Sequence, residues 1–281
     1  MLKILTDSTC DLPADLLQQH DIRIIPINIQ FGTESYEEDV TIDRSGFYRK
    51  VDEMQMIPTT SQPSAGRFAQ VYREMAAEGA DPILSIHVTS RLSGTYQSAE
   101  LARQMVADDV TVHTFDSASG SSGLGFMAVE AARLAEASKS VASILQRLEE
   151  IRPRMRILFT MADLRYAQMS GRVGKLKGTL ASVLDLKPIV GMDDGVIDVV
   201  AQVRARKKAV ARILALMENE IGTAAPVNLA VMHAEAPEEG QNLLQQARKR
   251  FNCQLSFLQD LAVSLVANLG PGTLGLIGYR T

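Results

Sequence analysis

Short apolar runs recur along the first half of the chain, each followed by a polar loop and then by a helical pattern. These runs are LKIL (2–5), ILSIHV (83–88), VTVHTF (110–115) and RILFTM (156–161). Strand, loop and helix in this order indicate a parallel α/β sheet, because neighbouring parallel strands need a long crossover that is usually a helix. A helix over about 64–78 is the most clearly bounded, with a capping serine at its start and a glycine beyond its end.

The second half of the chain, after about residue 155, has longer apolar runs with helical patterns at about 204–221 and 237–251. The runs are DVVAQV, VNLAVM, QLSFL and LGLIGY. Two domains are expected, because a single hydrophobic core usually stops growing near this chain length of 281 residues. We predict a Rossmann-like α/β domain with a parallel sheet over residues 1–155 and a second α/β domain over residues 156–281.

The segment 261–279 is long enough to be tested as a membrane span, since it runs for 19 residues without a charge and a span needs about 20. Asn268 and the Gly-Pro-Gly turn at 270–272 interrupt it, and such a turn breaks a helix. We therefore predict an apolar segment, a tight turn and a final strand. The first residues, MLKILTDST, have too short an apolar stretch for a signal peptide, so export is not expected.

Composition favours a folded protein of the cytoplasm. Hydrophobic residues make up 46% of the chain and charged residues 22%, a balance typical of globular domains. The 29 Lys and Arg against 33 Asp and Glu leave a net charge of −4, so no overall positive field would attract nucleic acid. Cys10 and Cys253 lie far apart without a C-x-x-C pattern, so neither a disulfide framework nor a thiolate zinc site is expected.

Positive charge is concentrated in one part of the chain. Residues 152–212 hold 13 Lys and Arg against 5 Asp and Glu, a surplus of 8 that leaves −12 for the rest. This basic segment is either a solvated helix face or a docking surface for an acidic or phosphate-bearing partner, and both readings stay open. Arg172 and Arg204 favour docking, because each follows a turn or a strand end rather than lying in a run of helical charges.

Four loops are rich in hydroxyl groups, and three of them follow predicted strands. The loops cover residues 6–9, 59–64, 89–98 and 116–122. Loops at the carboxyl ends of parallel strands converge on the crevice where such sheets bind ligands, and the helices that start there direct N–H groups into it. Hydroxyls and amides suit a carboxylate. Each hydroxyl alone also fits a helix cap or turn, but these loops hold more than capping needs.

The sequence lacks the common catalytic and metal-binding patterns. GSSGLG (120–125) does not have the glycine spacing of a dinucleotide-binding loop, and it misses the nucleophile elbow. None of the four histidines has a metal-ligand spacing, so we expect no cofactor, no metal and no catalysis by this chain. Asp7 and Asp116 end predicted strands, where a carboxylate can act as a base but more often forms a turn or cap. His87 lies inside a predicted strand, where packing or a hydrogen bond is its expected role.

Taken together, these segments resemble the DegV family of fatty-acid-binding proteins over nearly the whole chain. The most specific features are PTTSQPS (58–64) and SRLSGTYQSA (90–99), at this separation and with the second after a predicted strand. The other shared motifs are LTDSTCDLP (5–13), IIPINIQFG (24–32), TFDSASGSSGLG (114–125), SGRVGKLKGTLASVLDLKPIV (170–190) and GPGTLGL (270–276).

The resemblance implies two α/β domains with a ligand cleft between them and a long-chain fatty acid in a buried tunnel. Carried over position by position, it implies that Thr60 and Ser93 hydrogen-bond the carboxylate, with the Gly94 N–H close by. Ser61, next to Thr60 in the same motif, and Asn268 complete the implied ligand-binding set.

The resemblance also implies a partner, a separate fatty acid kinase that converts the presented acid and ATP into an acyl phosphate. Arg172 and Arg204 match arginines that the family associates with the kinase-facing surface. Asn268 departs from the family, since members of the kinase branch often carry His there; asparagine still donates a hydrogen bond but cannot become cationic. Residues 168–170 depart as well, where the family more often has a basic residue and paired glycines. Carboxylate binding tolerates these changes better than phosphoryl transfer does.

Two other functions stay open beside a non-catalytic, cytoplasmic fatty acid carrier. A stand-alone hydrolase or phosphotransferase would use Asp7, Asp116 and nearby serines, although Ser8 and Thr9 after Asp7 exclude a D-x-D phosphatase pattern. A carrier of another small carboxylate or carbonyl compound would use the same hydroxyl-rich loops. Identification of a bound ligand separates these three functions.

Overall fold

The structure is a computed structural model that describes residues 1–173 and 186–281. The chain divides into two compact units, Met1–Arg152 and Pro153–Thr281. The boundary predicted from the sequence, between residues 155 and 156, lies three residues further along the chain. Each unit has its own strands, helices and apolar core.

The first unit contains two sheets with helices packed around them. Its strands are β1 (Lys3–Asp7), β2 (Ile22–Ile25), β3 (Asn28–Phe31), β4 (Glu34–Glu37), β5 (Thr59–Ser61), β6 (Ile83–His87) and β7 (Val112–Asp116). Its helices are α1 (Ala14–Gln19), α2 (Arg44–Met54), α3 (Ala65–Ala77), α4 (Thr95–Met105), α5 (Ser122–Glu136) and α6 (Val141–Ile151).

Strands β2, β1, β6 and β7 pair in that order, and every pairing is parallel. This confirms the Rossmann-like sheet expected for the first unit. Every residue of β6 is buried, as is usual for a parallel strand with helices on both faces of its sheet. The core contains Leu5, Ile83 and Phe68 of α3, all without solvent exposure.

Strands β4, β3 and β5 form a small antiparallel sheet in that order. Residues 59–64 are expected to form a loop, and for Thr59–Ser61 this prediction is wrong, because these residues pair with β3 and Thr60 lies opposite Ile29. A strand of three partly exposed residues carries no apolar alternation, so periodicity could not reveal it.

The second unit is built on one mixed sheet in the order β10-β9-β8-β13-β11-β12, with strands and helices defined as follows. The strands are β8 (Arg156–Thr160), β9 (Leu186–Asp193), β10 (Val196–Arg204), β11 (Pro226–His233), β12 (Asn252–Asp260) and β13 (Leu274–Arg280). The helices are α7 (Leu164–Ser170), α8 (Arg206–Ile221), α9 (Pro237–Arg250) and α10 (Val263–Leu269). Most pairings are antiparallel, and β11 with β12 is parallel. The expectation that the run RILFTM belongs to a parallel sheet is wrong, because β8 pairs antiparallel with both of its neighbours. The second α/β domain is thus present.

The apolar segment 261–279 forms α10, a tight turn and β13, as predicted. Gly270 and Gly272 have φ angles of +82° and +72°, in the left-handed region that favours glycine. Across residues 1–173 and 186–281, no helix has both the length and the apolar character needed to cross a membrane.

Cys10 and Cys253 are free thiols, the first buried and the second partly buried. Burial raises the pKa of both thiols above the ordinary value. Neither cysteine therefore has the lowered pKa of an activated nucleophile.

Candidate functional site

The loops after β6 and β7 meet at one edge of the parallel sheet. The Thr89 N–H donates to the Ser119 carbonyl at 2.8 Å, and the Ser90 N–H donates to Asp116 Oδ1 at 3.2 Å. Two of the predicted hydroxyl-rich loops are therefore held together where their strands end, as the geometry of a parallel sheet requires.

Ser93 and Gly94 lie at the start of α4, where the first N–H groups of a helix have no partner within the helix. Gly94 occupies the capping position and has no side chain to cap them. The hydroxyls of Ser93 and Thr95 share a hydrogen bond of 2.8 Å, and the Thr95 N–H donates to Ser93 Oγ at 3.3 Å. The N–H groups at this helix start and the half-buried Ser93 hydroxyl are donors that suit an anion.

Thr60 and Ser61 are neighbours in β5, but their side chains face opposite sides of the strand. The Gln30 amide donates to Ser61 Oγ at 3.2 Å, and the Thr59 hydroxyl donates to Gln30 Oε1 at 3.3 Å. Ser61 therefore faces Gln30 across the small sheet, on the side away from Thr60. The predicted ligand role of Ser61 stays a prediction, and its observed partner is Gln30.

The loops that carry Thr60 and Ser93 meet at Gln62 and Gly94. A Cβ atom at position 94 would lie 2.7 Å from Gln62 Nε2, so the Gln62 amide lies directly against the Gly94 backbone. The Asn28 amide donates to the Gln62 carbonyl at 3.3 Å and fixes this turn to β3. Gln62 was not among the predicted site residues, although its place inside the PTTSQPS motif was an available signal.

Asp7 and Asp116 have the turn and cap roles that strand-end carboxylates usually have. Asp7 accepts the Thr9 N–H at 3.2 Å and caps a 3₁₀ turn over Ser8–Cys10. Asp116 accepts the Ala118 N–H at 2.9 Å. Both carboxylates are thus engaged by backbone donors.

His87 forms the hydrogen bonds expected of a histidine inside a strand. Its Nδ1 lies 3.0 Å from Asp7 Oδ2, and its Nε2 lies 2.6 Å from Ser85 Oγ. Asp, His and Ser in this order resemble the catalytic triad of a hydrolase. Ser85 has no solvent exposure, and its hydroxyl also accepts the Tyr72 hydroxyl at 3.0 Å. Burial raises the pKa of Tyr72, so the Tyr72 hydroxyl stays protonated and remains a donor to Ser85. A serine that is buried and hydrogen-bonded in this way cannot reach a substrate, which disfavours a hydrolase built on Asp7.

Asn268 lies near the end of α10 in the second unit. Its Nδ2 donates to the Ser264 carbonyl, one turn earlier in the helix, at 2.7 Å. One of its two amide protons is therefore used within the helix. The assignment of Asn268 to a ligand stays a prediction.

Arg172 and Arg204 lie along the same edge strand of the second unit. Arg172 follows Gly171, whose φ is +70°, and the next residue, Val173, forms a bridge with Ile197 of β10. Arg204 is the exposed last residue of β10, seven residues after Ile197 and therefore roughly 20 Å away along the strand. Residues 174–185 of the predicted motif 170–190 lie outside the described residues.

Apolar side chains are exposed between and beside these two arginines. Val196 and Val200 of β10 are 46% and 50% exposed, and Met169 of α7 is 66% exposed. Arg206, just beyond β10, is paired with Glu239 at 2.8 Å. The Arg172 guanidinium donates to the Ser170 carbonyl at 2.7 Å. The surface therefore combines exposed valines with arginines.

Comparison with known proteins gives matches along the whole chain. A family model described as "Uncharacterised protein, DegV family COG1307" matches residues 1–281. Protein DegV of Bacillus subtilis is 33% identical over 276 residues, covering 98% of each chain. A fatty-acid-binding DegV family protein from Thermus thermophilus aligns with a TM-score of 0.92 and 31% identity, over 100% of this chain and 99% of its own. A stearic-acid-binding protein from Eubacterium ventriosum aligns with a TM-score of 0.92 and 27% identity, over 100% and 98%.

Proposed function

The chain belongs to the DegV family, and from that premise we propose that it binds a long-chain fatty acid with the carboxylate at the start of α4. The hydroxyls of Thr60 and Ser93 and the Gly94 N–H donate to the carboxylate, and the acyl tail is buried in an apolar tunnel. The contact between Gln62 and Gly94 carries this proposal, because it joins the two loops that supply these donors. Fatty acid binding by relatives from two organisms supports the class of ligand.

The energetics favour a ligand with a long tail. At roughly 0.8 kcal/mol per buried methylene, a tail of about 14 methylenes contributes on the order of 11 kcal/mol before the costs of ordering and desolvation. A hydrogen bond to a charged carboxylate contributes only about 1.5 to 3 kcal/mol. The tail therefore supplies most of the affinity, and the head group sets the orientation.

Mass spectrometry of organic extracts from the purified protein tests the proposed ligand. We expect saturated or monounsaturated long-chain acids, close to one per protein chain. Extracts that repeatedly contain no acid, from protein that also takes up none on incubation, would overturn the proposal. Another small carboxylate or carbonyl compound in the extract would favour the alternative carrier.

Replacing Ser93 by alanine is expected to weaken fatty acid binding about tenfold, because one charge-assisted hydrogen bond is lost while the tail contacts remain. Calorimetric titration of the lipid-free protein measures the affinity, and a crystal of the variant shows whether the carboxylate moves. Ser98→Ala, one turn further along α4, is the matched control and should bind as the unmodified protein does. Unchanged affinity together with an unmoved carboxylate in Ser93→Ala would contradict the assignment.

We further propose that the bound acid is presented to a separate fatty acid kinase and that this chain acts as a carrier without chemistry of its own. Arg172 and Arg204 supply positive charge along one strand edge, and the exposed Val196 and Val200 supply apolar area in the same region. Enrichment in arginine with apolar residues is common at the centre of protein interfaces. The surface therefore suits a protein partner with acidic groups.

Reversing both charges, in an Arg172→Glu, Arg204→Glu variant, is expected to reduce kinase capture at least about tenfold, since each arginine becomes repulsive to an acidic partner. Tagged protein is loaded with fatty acid and used to capture partners from its source cells. The readout is ATP-dependent acyl phosphate in the captured fraction, trapped with hydroxylamine. A Lys249→Glu, Arg250→Glu variant makes the same charge change at the end of α9. Equal activity captured by all three proteins would reject the docking surface.

A further inference from the structure

The buried carboxylate of Asp7 is hydrogen-bonded to the backbone just before the loop that carries the proposed head-group donors. We call residues 89–94, between β6 and α4, the head-group loop. Asp7 has no solvent exposure, and its two oxygens accept four hydrogen bonds. Oδ1 accepts the Thr9 N–H at 3.2 Å and the Thr9 hydroxyl at 2.5 Å. Oδ2 lies 3.0 Å from His87 Nδ1 and accepts the Val88 N–H at 3.0 Å.

The hydrogen bonds around Asp7 continue through His87 and Ser85 to Tyr72. With its proton on Nδ1, His87 donates to Asp7, and its Nε2 accepts the Ser85 hydroxyl at 2.6 Å. Ser85 in turn accepts the Tyr72 hydroxyl at 3.0 Å. Each donor in this chain has an acceptor, which is the condition under which buried polar groups are tolerated.

The bond from Val88 to Asp7 fixes the point where the head-group loop leaves the sheet. The next residue, Thr89, is the base of the loop, because its carbonyl accepts the Ser93 N–H at 3.2 Å. The Thr89 N–H is held by the Ser119 carbonyl at 2.8 Å. A shift of Val88 would therefore be transmitted to Ser93 through a single residue.

We propose that Asp7 is a positioning residue for ligand binding: its carboxylate sets where Ser93 and Gly94 lie relative to the bound carboxylate, although it does not touch the ligand. This inference rests on the proposed function. A purely structural role would make Asp7 important for stability alone. A positioning role makes it important for the distinction between a charged and an uncharged head group.

The test compares two ligands with the same tail, tetradecanoic acid and its methyl ester, delivered from cyclodextrin. The ratio of ester to acid dissociation constants measures what the head-group donors contribute, because the tail contribution cancels. In Asp7→Asn, an NH₂ group replaces one of the two accepting oxygens and would face another donor, so hydrogen bonds made by that oxygen are lost. We expect the ratio to fall about tenfold, the equivalent of one well-placed hydrogen bond to a charged group, mainly through weaker acid binding.

Ser85→Ala is the matched control, since it shortens the same buried chain without touching the contacts between Asp7 and Val88. We expect it to lower the melting temperature and leave the ratio unchanged. The positioning role would be overturned if Asp7→Asn had the same ratio of ester to acid dissociation constants as the unmodified protein, including the case in which acid and ester are weakened by the same factor. Unmodified protein that binds neither ligand would instead reject the proposed function itself.

A second pair of variants answers the same question if Asp7→Asn does not fold. His87→Leu removes one donor to Asp7 and fills the space beside the Phe68 ring, which lies 5.0 Å from the His87 ring centre. His87→Asn keeps an N–H donor of similar reach. We expect a lower ratio in His87→Leu than in His87→Asn, and equal ratios would count against the inference.

Discussion

Replacing Gly125 by alanine should destabilise the first unit by about 3 kcal/mol, the upper part of the usual range for an overpacked core. Gly125 lies in the first turn of α5, against the turn that follows β1. A Cβ atom there would lie 2.4 Å from the Cys10 carbonyl oxygen and 2.8 Å from two side-chain carbons of Leu12. A backbone carbonyl cannot move aside as the end of a long side chain can, so α5 would have to shift as a whole.

Thermal unfolding of lipid-free protein measures this effect. For a unit of this size the loss corresponds to a melting temperature lower by roughly 6 to 12 °C. Gly66→Ala in α3 is the control, because its Cβ would meet only Ser64 Oγ at 3.8 Å, and alanine in a helix is expected to stabilise by up to about 1 kcal/mol. A Gly125→Ala protein that melts within about 2 °C of the unmodified protein would contradict the close packing of α5 against Cys10.

Three of the four strands of the main sheet, β1, β6 and β7, could be predicted because they lie within short apolar runs, whereas β2, IRII, was not predicted. β6 is buried at every residue, and its sequence, ILSIH, is correspondingly rich in apolar residues. The small sheet of β3, β4 and β5 could not be predicted, because each of its strands has only three or four residues. Their pairing depends on contacts between distant parts of the chain, which the local periodicity of the sequence does not indicate.

The meeting of the loops after β6 and β7 was predictable from topology, since the carboxyl ends of neighbouring parallel strands lie at one edge. The separation of Thr60 from Ser61 was not recognised, because it depends on residues 59–61 being a strand. The buried chain through Asp7, Ser85 and His87 did leave a signal. Ser85 and His87 are two residues apart in a predicted strand, which places both side chains on one face. Asp7 lies 80 residues away from His87 in the sequence. Its contact with His87 could be predicted only by knowing that β1 pairs with β6.

These differences show why the position of the head-group donors depends on residues outside the ligand motifs. Gln62 lies against Gly94, and Asp7 holds Val88. Asn28 and Gln30 of β3 hold the turn and strand that carry Thr60. The donors themselves are common residue types in turns. Their specific arrangement comes from the register of two sheets, so a substitution outside the ligand motifs can change head-group preference as well as fold stability.

Chain length of the ligand should change affinity more than any single substitution at the head group. Octanoate has eight methylenes fewer than hexadecanoate, and at roughly 0.8 kcal/mol each their burial is worth about 6 kcal/mol. If ordering of the longer tail cancels half of this, about 3 kcal/mol remains, which is more than a hundredfold in the dissociation constant. Removal of the Ser93 hydroxyl costs about tenfold by comparison.

Competition against a fluorescent fatty acid, with each acid below its aggregation concentration, measures this dependence. We expect affinity to rise steadily from octanoate through dodecanoate to hexadecanoate, because each added methylene leaves water for an apolar environment. Ser93→Ala serves as the control on the same series and should weaken every acid by a similar factor, since head and tail contribute independently when they do not share contacts. Equal affinity for octanoate and hexadecanoate would mean that the protein binds only the head group. That result would reject a buried tail and favour a carrier of small carboxylates, with the donors at the start of α4 still in use.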